Sequence, residues 1–190
     1  MRKWLFTWNP DRFDWYNYHN ECDYVRKIKV SIGRWSTRSH QMHRGDMALL
    51  MIVGQKERNG IIGVGTILGD AYEEDNVWYV GIRFEYLADY TTKDCYIPQS
   101  YLKLNMPKQN WSPQGSGISV LSQYYDELDA MIADMKDTNY YLEYDYGKDD
   151  DSKADVYIVS NKEKKKKIKP VKEKTMKRSG KFYITAAGME

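Results

Sequence analysis

A chain of 190 residues, 42% hydrophobic and 29% charged, is long enough for one domain with a proper core, with or without an appendage. Its net charge of +2 hides opposite parts: residues 1–58 carry 11 Lys/Arg against 6 Asp/Glu, residues 59–160 carry 7 against 18, and residues 161–190 carry 11 against 3. Two cysteines, Cys22 and Cys95, with no CxxC or HxxxH spacing, exclude a disulfide framework and a zinc site, and no run reaches the roughly 18 apolar residues of a membrane helix.

These features predict a cytoplasmic protein with reduced cysteines, no cofactor, no metal and no membrane contact. The positive first third predicts an oriented, salt-sensitive attraction for a polyanion, with ordinary solvated faces as the alternative.

In chain order, Lys3–Trp8 alternates as a short strand that Asn9-Pro10 ends. Residues 13–30 place Trp15, Tyr18, Cys22, Val25 and Ile28 near helical spacing, which predicts a helix. Residues 33–38 read as a polar, basic loop carrying Trp35 between Gly33, Arg34, Ser36, Thr37 and Arg38. Asp46, directly after Gly45 and before an apolar run, reads as a turn residue. Met47–Val53 and Gly60–Leu68 form a hairpin across the polar connection at 54–59. The glycines of GIIGVGTIL mark close backbone packing rather than a phosphate cradle.

Val77–Leu87 is a further strand, and 95–97 and 118–120 are shorter ones. Ser122–Met135 starts with a capping Ser and acids in its first turn, and it aligns Tyr125, Leu128, Ile132 and Met135 on one face of a closing helix. Beyond it the composition turns acidic and then strongly basic, as a solvated linker or tail. Within that tail, 156–160 has the pattern of an edge strand, and 181–190 that of the opening of another domain.

Candidate chemistry follows from the aromatics. Four of six Trp fall within the first 35 residues, and loop aromatics beside basic groups suit a flat ligand such as a nucleobase. Trp8 is equally readable as core, and Trp15 as cage or core. A second polar loop, 108–120, presents Trp111 among Gln109, Asn110, Ser112, Gln114 and Ser116, side chains able to meet a base edge. His19, His40 and His43 are too scattered for a triad, and GxxxxGK[ST] and GxSxG are absent. A binding module, not an enzyme, is the expectation.

The ordered set WLFTWNP, RW-S, HRGDMALLM, NGIIGVGTI and WSPQGSG before a helix resembles an EVE domain of the PUA-like superfamily. GRWST and the hairpin after it also resemble the Trp-Ser stretch and first hairpin of the related YTH domains. The resemblance covers roughly residues 1–137. It implies an α+β fold, a small PUA-like twisted β-barrel of about five to six strands flanked by helices, with residues 138–190 as a charged tail or the start of an effector domain.

The resemblance further implies a prokaryotic reader of a modified base in double-stranded DNA: 5-methylcytosine, 5-hydroxymethylcytosine or N6-methyladenine turned into an aromatic cage. Its alternative is a module recognising modified RNA or tRNA. The base pocket would comprise Trp8, Asn9, Trp15, Trp35, Ser36, Trp111, Ser112 and Ser116, with the base between Trp8 and Trp35. Phosphate contacts would come from Arg34, Arg38, His43, Arg44, Lys56, Arg58 and Lys108. A nuclease or GTPase effector, as in modification-dependent restriction systems, would act in cis or in trans. The long aromatic-rich first helix and the front loop depart from YTH readers, which leaves the bound base open.

Overall fold

The computed structural model describes residues 1–28, 30–92 and 95–145, together with the pairs 157–158, 166–167 and 185–186. Strands β1 (Lys3–Trp8), β2 (Ser31–Thr37), β3 (Met47–Ile52), β4 (Gly60–Ile67), β5 (Tyr72–Glu74), β6 (Val77–Leu87), β7 (Cys95–Pro98) and β8 (Ile118–Ser119) combine with helices α1 (Tyr18–Ile28), α2 (Gln99–Asn105) and α3 (Tyr125–Asp145). The fold is α+β, built on one mixed, curled sheet that closes as a half-barrel. Across the sheet the order is β8-β1-β3-β4-β6-β2, with β7 on the first residues of β4 and β5 on the first residues of β6.

Among the described residues only β1 and β3 run parallel, Lys3 opposite Met47 and Trp8 opposite Ile52. Parallel neighbours need a crossover, which α1 and β2 supply. Trp4, Leu5, Phe6, Leu49, Leu50 and Met51 are all buried, so these central strands are covered on both faces. Each such side chain contributes about 1.5–3 kcal/mol by leaving water.

The β3–β4 hairpin forms where its pattern predicts, with a single 3-10 turn, Lys56–Arg58, in its connection. The β4 glycines permit close approach: a Cβ on Gly60 would lie 2.3 Å from Ile97 O, and one on Gly65 2.5 Å from Arg83 O.

Three expectations are corrected. The helix predicted over 13–30 begins only at Tyr18. Ahead of it, the Asn9 carbonyl takes the N–H of Arg12 and of Phe13, its side chain takes the Asp11 N–H, and Asn17 sits at φ 73°. An Asx turn and a left-handed residue thus hold 9–17 as irregular chain. The predicted loop at 33–38 is instead strand β2, paired antiparallel with β6 from Ser31↔Phe84 to Thr37↔Trp78. Its two faces are both largely polar, so the alternation that marks a strand is nearly invisible in sequence.

The closing helix also departs from expectation. Ser122 opens a 3-10 turn, Ser122–Tyr124, with no side-chain cap, and α3 starts at Tyr125. Its buried face, Leu128, Met131, Ile132 and Met135, is close to the one predicted. The helix runs past residue 137, so the boundary expected there falls inside it.

Most of the charged tail lies outside the described residues. Tyr157–Ile158 pairs with Lys166–Lys167 rather than with the main sheet, and Thr185–Ala186 pairs with β7. Among the described residues no helix is long and apolar enough to cross a membrane.

Candidate functional site

The half-barrel leaves a seam between β2 and the β1–β8 side. The seam is bridged at one end, where Arg38 N–H donates to Ser116 O at 3.1 Å and Gly117 N–H to Leu5 O at 2.8 Å. Ser116 Oγ accepts the Thr7 N–H at 3.0 Å, which pins the 108–120 loop to β1. Gly117, at φ 90°, has no room for a side chain, because a Cβ there would lie 2.1 Å from Thr37 Oγ1.

Beyond that bridge the seam opens into a cleft of about 980 Å³. Its walls are the last residues of β1, the 9–16 segment, all of β2 from Ser31 to Ser36, and residues 112–116.

The free edge of β2 faces this cleft. In an antiparallel pair, residues of one parity turn both main-chain groups toward the neighbour, and the other parity turns them away. Leu68 N–H donates to Gly81 O, so Gly81 faces β4, while Val80 and Ile82 face β2. Their partners Trp35 and Gly33 therefore bond to β6. The N–H and C=O of Ile32, Arg34 and Ser36 are left on the outer edge, the parity on which Arg38 makes its bond across the seam. Among the described residues β2 pairs with β6 alone.

Aromatic rings fill one end of the cleft. Trp15 stands edge-on to Trp35, with ring centroids 5.5 Å apart at 66°, and edge-on to Trp8, at 5.4 Å and 75°. Tyr18 closes against Trp8 at 4.5 Å, and Phe84 lies 6.1 Å from both Trp15 and Trp35. Trp8 is only 3% exposed, and its indole N–H donates to Phe13 O at 2.8 Å. Trp15 and Trp35 are half-buried. Between Trp8 and Trp35, where the base was expected, stands the Trp15 ring, which packs against both.

Seven of the eight expected pocket residues line the cleft: Trp8, Asn9, Trp15, Trp35, Ser36, Ser112 and Ser116. Trp111 does not. It is 1% exposed, and its indole N–H donates to Met106 O at 2.9 Å, so it is a core residue beneath the loop. Gln99 holds that loop from below, donating to Trp111 O at 2.5 Å and to Ser112 Oγ at 3.3 Å.

The expected phosphate contacts scatter. Arg34 lines the cleft, but its guanidinium stacks 3.6 Å from the Tyr79 ring centroid and pairs with Glu74. Loss of solvent pulls its pKa down, and the Glu74 carboxylate together with Tyr72 and Tyr79 more than offsets this, so it stays charged. Arg38 reaches Gln114 O at 3.4 Å beside the cleft. His43, paired with Asp70 at 3.0 Å, and Arg44 precede Met47, at the opposite end of β1–β3 from Trp8. Six residues of strand separate those ends by about 17 Å. Lys56 and Lys108 are exposed and Arg58 is drawn to Tyr90 O at 3.0 Å; none of the three lines the cleft.

Arg12, Asp14, Glu21 and Tyr79, none of them among the expected site residues, also line the cleft. Arg12 was legible as a cation between Trp8 and Trp15; Tyr79 was not, since only the β2–β6 register brings it opposite Ser36. Tyr90 backs Trp8 at 5.4 Å, and burial with the nearby carboxylates of Asp89, Asp11 and Asp14 raises its pKa, keeping the phenol neutral. Among the described residues no three His, Cys, Asp or Glu side chains gather as metal ligands would.

No family profile and no curated protein matches the chain. Among solved structures it is similar to the X-ray structure of PSPTO5229 from Pseudomonas syringae, at 18% identity over 68% of this chain and 98% of that one, with a TM-score of 0.47. It is also similar to the NMR structure of Rpa0253 from Rhodopseudomonas palustris, at 15% identity over 66% and 89%, with a TM-score of 0.44. Likenesses of this strength assign no activity.

Proposed function

We propose that the chain is a reader module of the PUA-like, EVE type, which takes one modified base of double-stranded DNA into the seam cleft. The observation that carries this reading is the meeting of Trp15 and Trp35 with an unpaired strand edge in a cleft of about 980 Å³. That volume lies at the upper end of the ligand-site range of about 300–1,000 Å³, enough for a base with its sugar and phosphate.

An aromatic face returns about 1–3 kcal/mol per stacked base, whereas extrusion from a duplex costs a few kcal/mol. Stacking therefore needs help. Main-chain N–H and C=O groups of Arg34 and Ser36 supply donors and acceptors to a base edge, while Arg12 and Arg38 supply charge near the cleft. A methyl group buried against indole adds roughly 0.8 kcal/mol, so discrimination of a few-fold comes from the methyl alone.

The reading is of binding without turnover. Any nuclease or GTPase effector belongs to a separate domain or partner. The test is a titration of labelled duplexes carrying 5-methylcytosine, 5-hydroxymethylcytosine, N6-methyladenine or no modification, with RNA of the same sequence beside them. Tighter binding of one modified duplex supports the reading. Equal affinity for all four DNAs sinks it, and preference for the RNA transfers it to the RNA alternative.

A further inference from the structure

We propose that Trp15 is a plug in the base site rather than a wall of it, so that a bound base takes the place its indole now holds. The inference rests on the base-binding reading of the cleft. Trp15 touches Trp8, Tyr18, Trp35 and Phe84, which puts its ring at the centre of the cluster. It meets Trp8 and Trp35 edge-on, an arrangement that leaves their faces unstacked.

The segment that carries it is lightly held. Asp11, Arg12, Phe13, Asp14 and Tyr16 are all exposed, the Phe13 and Tyr16 rings to 62% and 81%. The hydrogen bonds described for residues 10–16 stay within 8–18, apart from a long one from Gln55 Nε2 to Asp11 Oδ2 at 3.4 Å. Its tie to β2 is therefore the Trp15 ring contact. Both ends offer pivots, Asn9-Pro10 before and Asn17 at φ 73° after. A strap with one half-buried anchor and two turning points opens without unfolding the sheet.

A plug taxes affinity by the fraction of time the site is open, so removing it from a site closed nine-tenths of the time tightens binding about tenfold. A wall gives the opposite sign. The experiment compares the parent, Trp15→Ala and Trp15→Phe for binding of a duplex carrying 5-methylcytosine and one carrying N6-methyladenine. In parallel, 19F NMR follows the 5-fluorotryptophan-labelled parent, with Trp15→Phe assigning the signal. Thermal melts establish that each variant is folded.

The expected result is about tenfold tighter binding by Trp15→Ala, an intermediate value for Trp15→Phe, and a Trp15 signal that exchanges in the free protein and moves to an exposed position when duplex is added. Equal or weaker binding by Trp15→Ala overturns the plug and leaves the reader intact. If no oligonucleotide binds parent or variant, the reader fails, and the free-protein signal decides the plug: exchange supports it, and a single sharp resonance without exchange overturns it.

Discussion

The indole N–H of Trp4 donates to Asp46 Oδ2 at 2.9 Å, tying the first strand to the turn that opens β3. The same carboxylate accepts the Arg2 N–H at 2.9 Å and the His43 N–H at 3.2 Å. Asp46, legible in sequence only as a turn residue, is thus a buried three-donor acceptor. Burial pushes its pKa up, and the three N–H groups, with the charge of Arg2, together outweigh that and hold it below the usual carboxylate value.

A pH dependence follows with a fixed sign. A carboxyl whose folded pKa lies below its unfolded value contributes stability that is present above about pH 4 and lost as pH falls through the folded value. Asp46→Asn is expected to cost about 1–3 kcal/mol at neutral pH, because its amide turns a donor toward other donors. Urea melts from pH 7 to pH 2 should show the parent converging on the variant at low pH; a constant gap across the range contradicts the assignment.

Lys3 is 1% exposed, with its ammonium 2.6 Å from Asp129 Oδ1 on α3 and 5.0 Å from the Tyr125 ring centroid. Asp129 is itself about half exposed, so removing only the carboxylate, in Asp129→Ala, is expected to cost about 1–2 kcal/mol. Lys3→Met keeps the volume without the charge and should cost about 1 kcal/mol or less. Equal losses in the two variants, read by chemical denaturation, refute this asymmetry.

Gly117 permits the seam bridge. Gly117→Ala combines a left-handed backbone with a Cβ in the Thr37 hydroxyl, for an expected loss of about 2–4 kcal/mol. Gly45→Ala is the control: its φ is also 90°, yet a Cβ there meets nothing within 4 Å, so only about 1 kcal/mol is expected. Thermal melts of both variants separate conformational strain from collision.

Trp35 and Trp111 should behave oppositely. Trp111→Ala empties a core position and is expected to cost about 3–5 kcal/mol. Trp35→Ala removes a half-buried ring and should cost about 1–2 kcal/mol of stability. It should also lose at least tenfold in affinity for the preferred duplex. Melts and titrations run together decide the matter, and parent-like binding by Trp35→Ala removes Trp35 from the site.

The sequence by itself determined the elements whose pattern is carried by contiguous apolar residues: β1, the β3–β4 hairpin, β6 and the buried face of α3. It also singled out Trp8, Trp15 and Trp35, which line one cleft. Those features are local, because a run of Val, Ile, Leu and Trp has the same reason to leave water wherever it falls.

Only the tertiary structure decided the remainder. Whether Trp111 faces core or cleft depends on Met106 O, and Arg34 is claimed by Tyr79 and Glu74 from strands 40 or more residues away. Strand β2 exists because β6 lies beside it, and its outer edge is free because the barrel stops short of closing there. Pairing across such distances leaves no period in the local sequence, so the seam that makes the site could be read only once the sheet was assembled.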